Sequence, residues 1–239
     1  MRRWWICDCC ANAVLVGATL AILIVAGTIN AVMYVLSLYF QDPSAFGMSA
    51  LEAGLATLPA ATAMIAVTPF ITPVALKIGT RNAIALGFGL AATALAALVF
   101  VTSSWAYTAF VVPLAVAAVG LGLANGPASS VSPEQVGQAS GISNMARYIG
   151  GSLAVAAVAA IFSAVTDAHS EAGEPAEDAL AAGVSRASLL LAIMSAAGIA
   201  LALLMARHRA ARARAVDRVA AAAIVVHTIP TEPDIGWRS

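Results

Sequence analysis

Residues 13–40 read AVLVGATLAILIVAGTINAVMYVLSLYF, and this stretch decides the fold class. It holds no charged residue and exceeds the about 20 apolar residues that a helix needs to cross a bilayer. Arg2 and Arg3 precede it, as in a secretory leader. The apolar run is too long for a leader's core, however, and no small-residue cleavage site follows it, so it reads as a retained helix.

Working outward, five further stretches qualify as spans, at about 55–76, 83–101, 107–125, 142–165 and 189–205. Arg147 is the only charged residue inside any of the six. Barrel strands would alternate polar and apolar residues over about ten positions, which these stretches do not. The reading is an all-α integral membrane protein. A cytoplasmic N-terminal segment (1–11) leads into a six-helix bundle (12–206), and a basic cytoplasmic tail (207–239) follows.

Composition excludes the main alternatives. Hydrophobic residues make up 61% of the 239 and charged residues 10%, with a mean hydropathy of +0.91. Soluble domains carry about 25% charged residues, and disorder needs low hydrophobicity with high charge. The 12 Lys+Arg balance the 12 Asp+Glu, so no basic field is present to attract nucleic acid.

Charge placement sets an orientation. Arg2 and Arg3, then Lys77 and Arg81, then Arg207, Arg209, Arg212, Arg214 and Arg218 fall on one side if the spans alternate. Asp42, Glu52, Asp167, Glu171, Glu174, Glu177 and Asp178 fall on the other, with Arg186 as its cation. The positive-inside rule then places both termini in the cytoplasm of a multi-pass protein of the plasma (inner) membrane.

Polar residues within spans are costly in lipid and normally face protein or a water-filled cavity. Gly27, Asn30, Tyr34, Ser37 and Gln41 recur at helical spacing and form one stripe on the first span. Ser140, Asn144, Arg147 and Gly151 form a second stripe on the fifth. Thr57, Met64, Thr68 and Thr72 form a weaker one on the second span, where Pro59, Pro69 and Pro73 mark bends. Such stripes serve either helix packing or cavity lining, and Arg147 either snorkels to the inner interface or faces a protein partner. Gly122 with Gly126, and Gly137 with Gly141, fit the small-xxx-small packing pattern.

Enzymatic readings fail on the residues available. No His and no carboxylate lies in a span for intramembrane proteolysis, and Gly47-Met48-Ser49-Ala50 lies in a loop. No Gly-rich loop followed by Lys-Ser/Thr is present to hold a nucleotide. Cys7, Cys9 and Cys10 sit together, while His169, His208 and His227 lie far away, which is not a zinc spacing. Neither a metal nor a cofactor is expected.

Several segments together carry a family resemblance. Tyr34-Val35-Leu36-Ser37-Leu38-Tyr39-Phe40-Gln41 is followed by Ser49-Ala50-Leu51-Glu52-Ala53-Gly54-Leu55-Ala56-Thr57-Leu58-Pro59. Gly120-Leu121-Gly122-Leu123-Ala124-Asn125-Gly126-Pro127 and Pro133-Glu134-Gln135-Val136-Gly137-Gln138-Ala139-Ser140-Gly141 come next. Asn144-Met145-Ala146-Arg147-Tyr148-Ile149-Gly150-Gly151 completes the set. In this order the chain resembles the C-terminal half of a major facilitator superfamily transporter, in the branch of fourteen-helix drug:proton antiporters, over about residues 12–206.

That resemblance implies proton-coupled efflux of small hydrophobic or amphipathic compounds, with the lipid bilayer, protons and the substrate as partners. It implies a cavity lined by the first, second, fourth and fifth helices, with Asn30, Tyr34, Ser37, Gln41, Asn125, Asn144 and Arg147 as candidate lining residues. Lys77-Ile78-Gly79-Thr80-Arg81 is similar to the family's gating-loop motif through Lys77, Gly79 and Arg81, although Leu76 and Thr72 occupy its acidic and leading-glycine positions. Gly141, Gly150 and Gly151 keep the spacing of the antiporter helix motif without its later Gly-Pro.

The family builds its cavity between two halves, and the chain resembles one of them. Its start, Met1-Arg2-Arg3-Trp4-Trp5-Ile6-Cys7-Asp8-Cys9-Cys10, does not resemble the family's central loop. A truncated gene product, completed by a missing N-terminal half, is the expectation. A stand-alone half acting with a second copy, and a non-transporting membrane scaffold or assembly subunit, remain as alternatives.

Overall fold

The computed structural model describes residues 13–128 and 136–227, with side chains over 16–125 and 140–204. The described residues form helices and no strand: α1 (Ala13–Gln41), α2 (Ala50–Ala56), α3 (Leu58–Ile78), α4 (Thr80–Leu98), α5 (Tyr107–Ala128), α6 (Val136–Glu171) and α7 (Ala176–His227). Six of them are long and apolar enough to cross a membrane, with the short α2 merging into the span of α3. The protein is therefore an all-helical bundle of six spans.

Short connections hold the spans in alternating directions. Ser49 caps α2 in a reciprocal box, its N–H donating to Glu52 Oε2 at 2.8 Å while the Glu52 N–H donates to Ser49 Oγ at 3.3 Å. The helix then breaks at Thr57, because Pro59 has no N–H to give to the Leu55 carbonyl, and α3 starts afresh with proline in its first turn. At the far end of α3, Gly79 alone separates it from α4, at φ 85°. This conformation favours glycine over any residue with a Cβ. The Asn82 amide donates across that turn to the Ile78 carbonyl at 2.9 Å.

Helix ends differ from the apolar stretches. The third span starts at Thr80 and ends at Leu98 rather than covering 83–101, and the fifth helix runs over 136–171 rather than 142–165. The sixth begins at Ala176, not near 189, and continues to His227 through what reads as a separate tail. The segment 167–178 is thus mostly helical, with only 172–175 between α6 and α7. Apolar length measures the hydrocarbon thickness, whereas a helix runs past it where packing continues, as at Ala179, Leu180 and Ala181, which are buried in the bundle.

Apolar burial cannot drive helices together inside lipid, so close packing has to. Two glycine crossings provide it. A Cβ added to Gly87 of α4 would lie 2.5 Å from the Gly120 carbonyl oxygen of α5, and one on Gly120 would lie 2.6 Å from that of Gly87. A Cβ on Gly27 of α1 would lie 2.9 Å from the Gly150 carbonyl oxygen of α6. Around them α1 packs on α6 and α7, α4 on α5 and α7, and α3 chiefly on α5. One buried layer centres on Ile22, Phe88 and Ala124. The other centres on an aromatic cluster in which Phe40 and Phe110 meet edge to face at 5.6 Å.

Candidate functional site

The two ends of the bundle carry opposite chemistry. Lys77 and Arg81 are exposed where α3 meets α4, and Asp42, Glu52, Asp167, Glu171, Glu174, Glu177 and Asp178 cluster at the other end. Arg186 lies at this acidic end, because its neighbour Ser185 donates to the Val99 carbonyl at 2.5 Å, just past the end of α4. His169 Nδ1 lies 2.7 Å from Glu174 Oε2 across the α6–α7 turn.

Between these ends a cavity of about 250 Å³ opens among α1, α3 and α5. Ile29, Val32 and Met33 form its α1 wall. Thr57, Ala60, Ala61 and Met64 form the α3 wall, and Leu114, Ala117, Ala118 and Leu121 the α5 wall. Thr57 is the one residue among them with a polar side chain. Alanines leave the space and the methionines give it soft, adaptable edges. Gly122, on the same side of α5, faces Met64: a Cβ there would lie 3.4 Å from Met64 Cγ, an ordinary contact distance.

None of the seven polar candidates lines this cavity. Asn30, Tyr34 and Gln41 are exposed and Ser37 is half-buried, so the α1 stripe runs alongside the cavity rather than into it. A helical step of about 100° separates neighbouring residues, so Ile29 and Met33 turn toward α3 and α5 while Asn30 and Tyr34 do not. The stripe also satisfies much of its own polarity. Asn30 Nδ2 donates to the Ala26 carbonyl at 2.8 Å, and Gln41 Nε2 to Ser37 Oγ at 2.6 Å.

The structure does bring the two stripes together at one level. Gly150 of α6 presses against Leu23 of α1, and a Cβ on Gly151 would lie 3.2 Å from Asn30 Nδ2. Asn144 and Arg147 sit one to two turns nearer the basic end with exposed side chains, and Arg147 forms no ion pair among the described residues. Asn125 is half-buried near the end of α5.

The glycine assignments divide. Gly122, Gly150 and Gly151 lie at helix contacts, but Gly141 meets nothing within 4 Å, so the close approach of α6 falls at Gly150 instead. Gly126 and Gly137 are helical, with surroundings outside the described residues, and Cys7, Cys9 and Cys10 lie outside them altogether. Thr68 and Thr72 of the weaker α3 stripe are exposed, whereas its Thr57 and Met64 reach the cavity. Sequence reasoning missed the apolar wall, since Ile29, Ala60 or Leu114 looks like any lipid-facing residue before the neighbours are known.

Six apolar helices around an intramembrane cavity give a polytopic membrane architecture. The model of the family described as Major Facilitator Superfamily matches residues 5–155, more than half of the chain. The chain belongs to that superfamily and is a transmembrane transporter. No curated protein matches it.

Proposed function

We propose that the chain is one half of a proton-coupled exporter of small hydrophobic or amphipathic compounds. The observation that carries this reading is the apolar wall of the 250 Å³ cavity, which offers no charge or strong hydrogen-bonding group to a sugar, peptide or nucleotide. A neutral apolar group gains from such a wall, and the methionines Met33 and Met64 tolerate varied shapes.

Tyr34, Asn144 and Arg147, exposed on this face, support a partner half covering it, because lipid does not satisfy such groups. The described spans contain no carboxylate other than at their acidic ends, so the proton-carrying acid belongs to that partner half. The basic end faces the cytoplasm of the plasma membrane in this reading, by the positive-inside rule.

The test is dye flux driven by an imposed pH gradient in membrane vesicles from cells making the transporter. Ala118→Phe fills the cavity and should lower flux of an amphipathic dye at least tenfold at equal membrane abundance. Parental flux from that variant overturns the cavity assignment. Vesicles reconstituted with the purified chain alone should show no flux above empty ones, and saturable flux from them would identify a second copy as the other half.

A further inference from the structure

Arg186 is the cation of the acidic end, and its depth sets it apart. Its side chain is exposed and forms no ion pair among the described residues, although seven carboxylates lie at the same end. On its own helix the acids lie further out. Asp178 and Glu177 come eight and nine residues earlier in α7, about 12 Å away at 1.5 Å per residue. That exceeds the Debye length of about 8 Å at physiological salt. In the other direction the next charged residue is Arg207, and the 20 residues between the two arginines carry no charge. Such a run spans about 30 Å as helix, which is the thickness of the hydrocarbon. Arg186 therefore sits where hydrocarbon meets headgroups. The neighbouring helix marks the same level, because Ser185 donates to the Val99 carbonyl at 2.5 Å and α4 ends at Leu98.

The face that carries Arg186 suits lipid. Arg186, Leu189, Ile193, Ala196, Ala200 and Leu203 are exposed and follow one another at spacings of 3 and 4, one stripe along α7. Every member after Arg186 is apolar, whereas the face of Tyr34, Asn144 and Arg147 offers polar groups to a protein partner. Phe100, 75% exposed, follows Val99 and so flanks the Ser185–Val99 contact on the side of α4, as Arg186 flanks it on the side of α7. Aromatic rings and long cationic side chains both favour this depth, where an apolar stem stays in hydrocarbon and a polar tip reaches the headgroups.

We propose that Arg186 anchors a phospholipid in the leaflet at the acidic end, with its guanidinium on the lipid phosphate and the acyl chains along the α7 stripe. Phosphate is the anion that this depth supplies, and the planar guanidinium meets it with two parallel hydrogen bonds. Phe100 and Leu189 offer apolar surface to the first methylenes of the chains. Free phosphate carries the same kind of charge but nothing that gains from the stripe, so the occupant is the lipid. The site lies on α7, away from the cavity among α1, α3 and α5, and does not depend on the export reading.

The experiment reads lipid preference at one position. A bimane fluorophore is attached at Leu189→Cys in the full chain with Cys7, Cys9 and Cys10 replaced by serine. The protein is reconstituted into bilayers that mix dibrominated phosphatidylglycerol, which quenches the fluorophore, with phosphate-free digalactosyl diacylglycerol. Quenching then gives the affinity of one lipid relative to the other beside Arg186. Phosphatidylglycerol should be preferred at least threefold with Arg186 intact, and Arg186→Gln should abolish the preference. Arg186→Lys should give an intermediate ratio, because lysine lacks the planar fork. Millimolar inorganic phosphate should leave the preference unchanged. A second reporter at Leu203→Cys, at the far end of the same stripe, should give one ratio with and without Arg186→Gln.

A preference that survives Arg186→Gln, or that is absent with Arg186 intact, overturns the site. Loss of the preference in inorganic phosphate makes Arg186 a site for free anions and overturns the lipid as occupant. A parental ratio for Arg186→Lys overturns the two-bond contact. If Arg186→Gln changes both reporters, the fold is disturbed and Arg186→Lys decides. A reduced ratio at Leu189 alone then keeps the site, and an unchanged one overturns it.

Discussion

Arg147 and Asn30 meet the same problem, a polar group within a membrane helix, and solve it differently. Asn30 gives its amide to a carbonyl one turn back, at 2.8 Å, and so stays tolerable wherever it points. A guanidinium has five donors and a charge, which one carbonyl does not satisfy. An arginine at a helix centre costs about 2.5–3.5 kcal/mol on insertion scales, and less toward an interface. Its exposed position beside Asn144, on the face that continues to Gly151, fits an acidic or polar partner on the covering half. In the assembled transporter, Arg147→Ala should lower transport at least tenfold with membrane abundance near the parental level. Arg147→Lys should restore only part of it, since lysine lacks the planar fork. Parental transport by the alanine variant would show that Arg147 only snorkels. The chemistry of these residues was legible in the sequence, as were their spacings. Their orientation was not, because spacing shows which residues share a face but not what that face meets.

Among elements, the glycine crossings set the spacing of the bundle. Helices α4 and α5 approach until backbone meets backbone at Gly87 and Gly120, and only the absence of a Cβ on both allows it. Gly87→Ala or Gly120→Ala should destabilise the bundle by about 1–3 kcal/mol, the usual cost of overpacking. Unfolding of the purified protein in mixed micelles would show this as a lowered midpoint. Gly141→Ala, with nothing within 4 Å, is the internal control and should keep or raise the midpoint, since alanine favours a helix more than glycine does. An equal loss at all three positions would overturn the crossing as the cause. The sequence pattern alone marks Gly141 as readily as it marks Gly122, which does lie against another helix. Every glycine four residues from another fits a packing motif, while a crossing requires a second helix at the same depth. The break before Pro59 was readable in advance, because a proline acts on the turn in which it sits.

For the whole molecule, the alternation of six spans turns scattered charges into two poles. In the proposed orientation, the basic end with Lys77 and Arg81 lies in the cytoplasm and the α6–α7 turn lies outside. A cysteine placed at Ser170 in a cysteine-free background should react with an impermeant reagent on intact cells, and one at Thr80 should not. Both positions are exposed, so a difference between them reports sidedness and not burial. The reverse labelling would invert the molecule.

The sequence by itself determined the membrane class, the number of spans and the separation of charge between the ends. Each of these follows from the free energy of single residues in water or in hydrocarbon, and such terms add along the chain whatever the neighbours do. Only the tertiary structure decided where the cavity lies, and that Ile29, Ala60 and Leu114 line it while Asn30 and Tyr34 do not. In lipid an apolar side chain is equally at home against a tail, a neighbouring helix or an empty cavity, so composition cannot distinguish the three. Helix rotation and crossing depth make that choice, and they are set by contacts between residues far apart in the chain, such as Gly27 with Gly150 and Gly87 with Gly120.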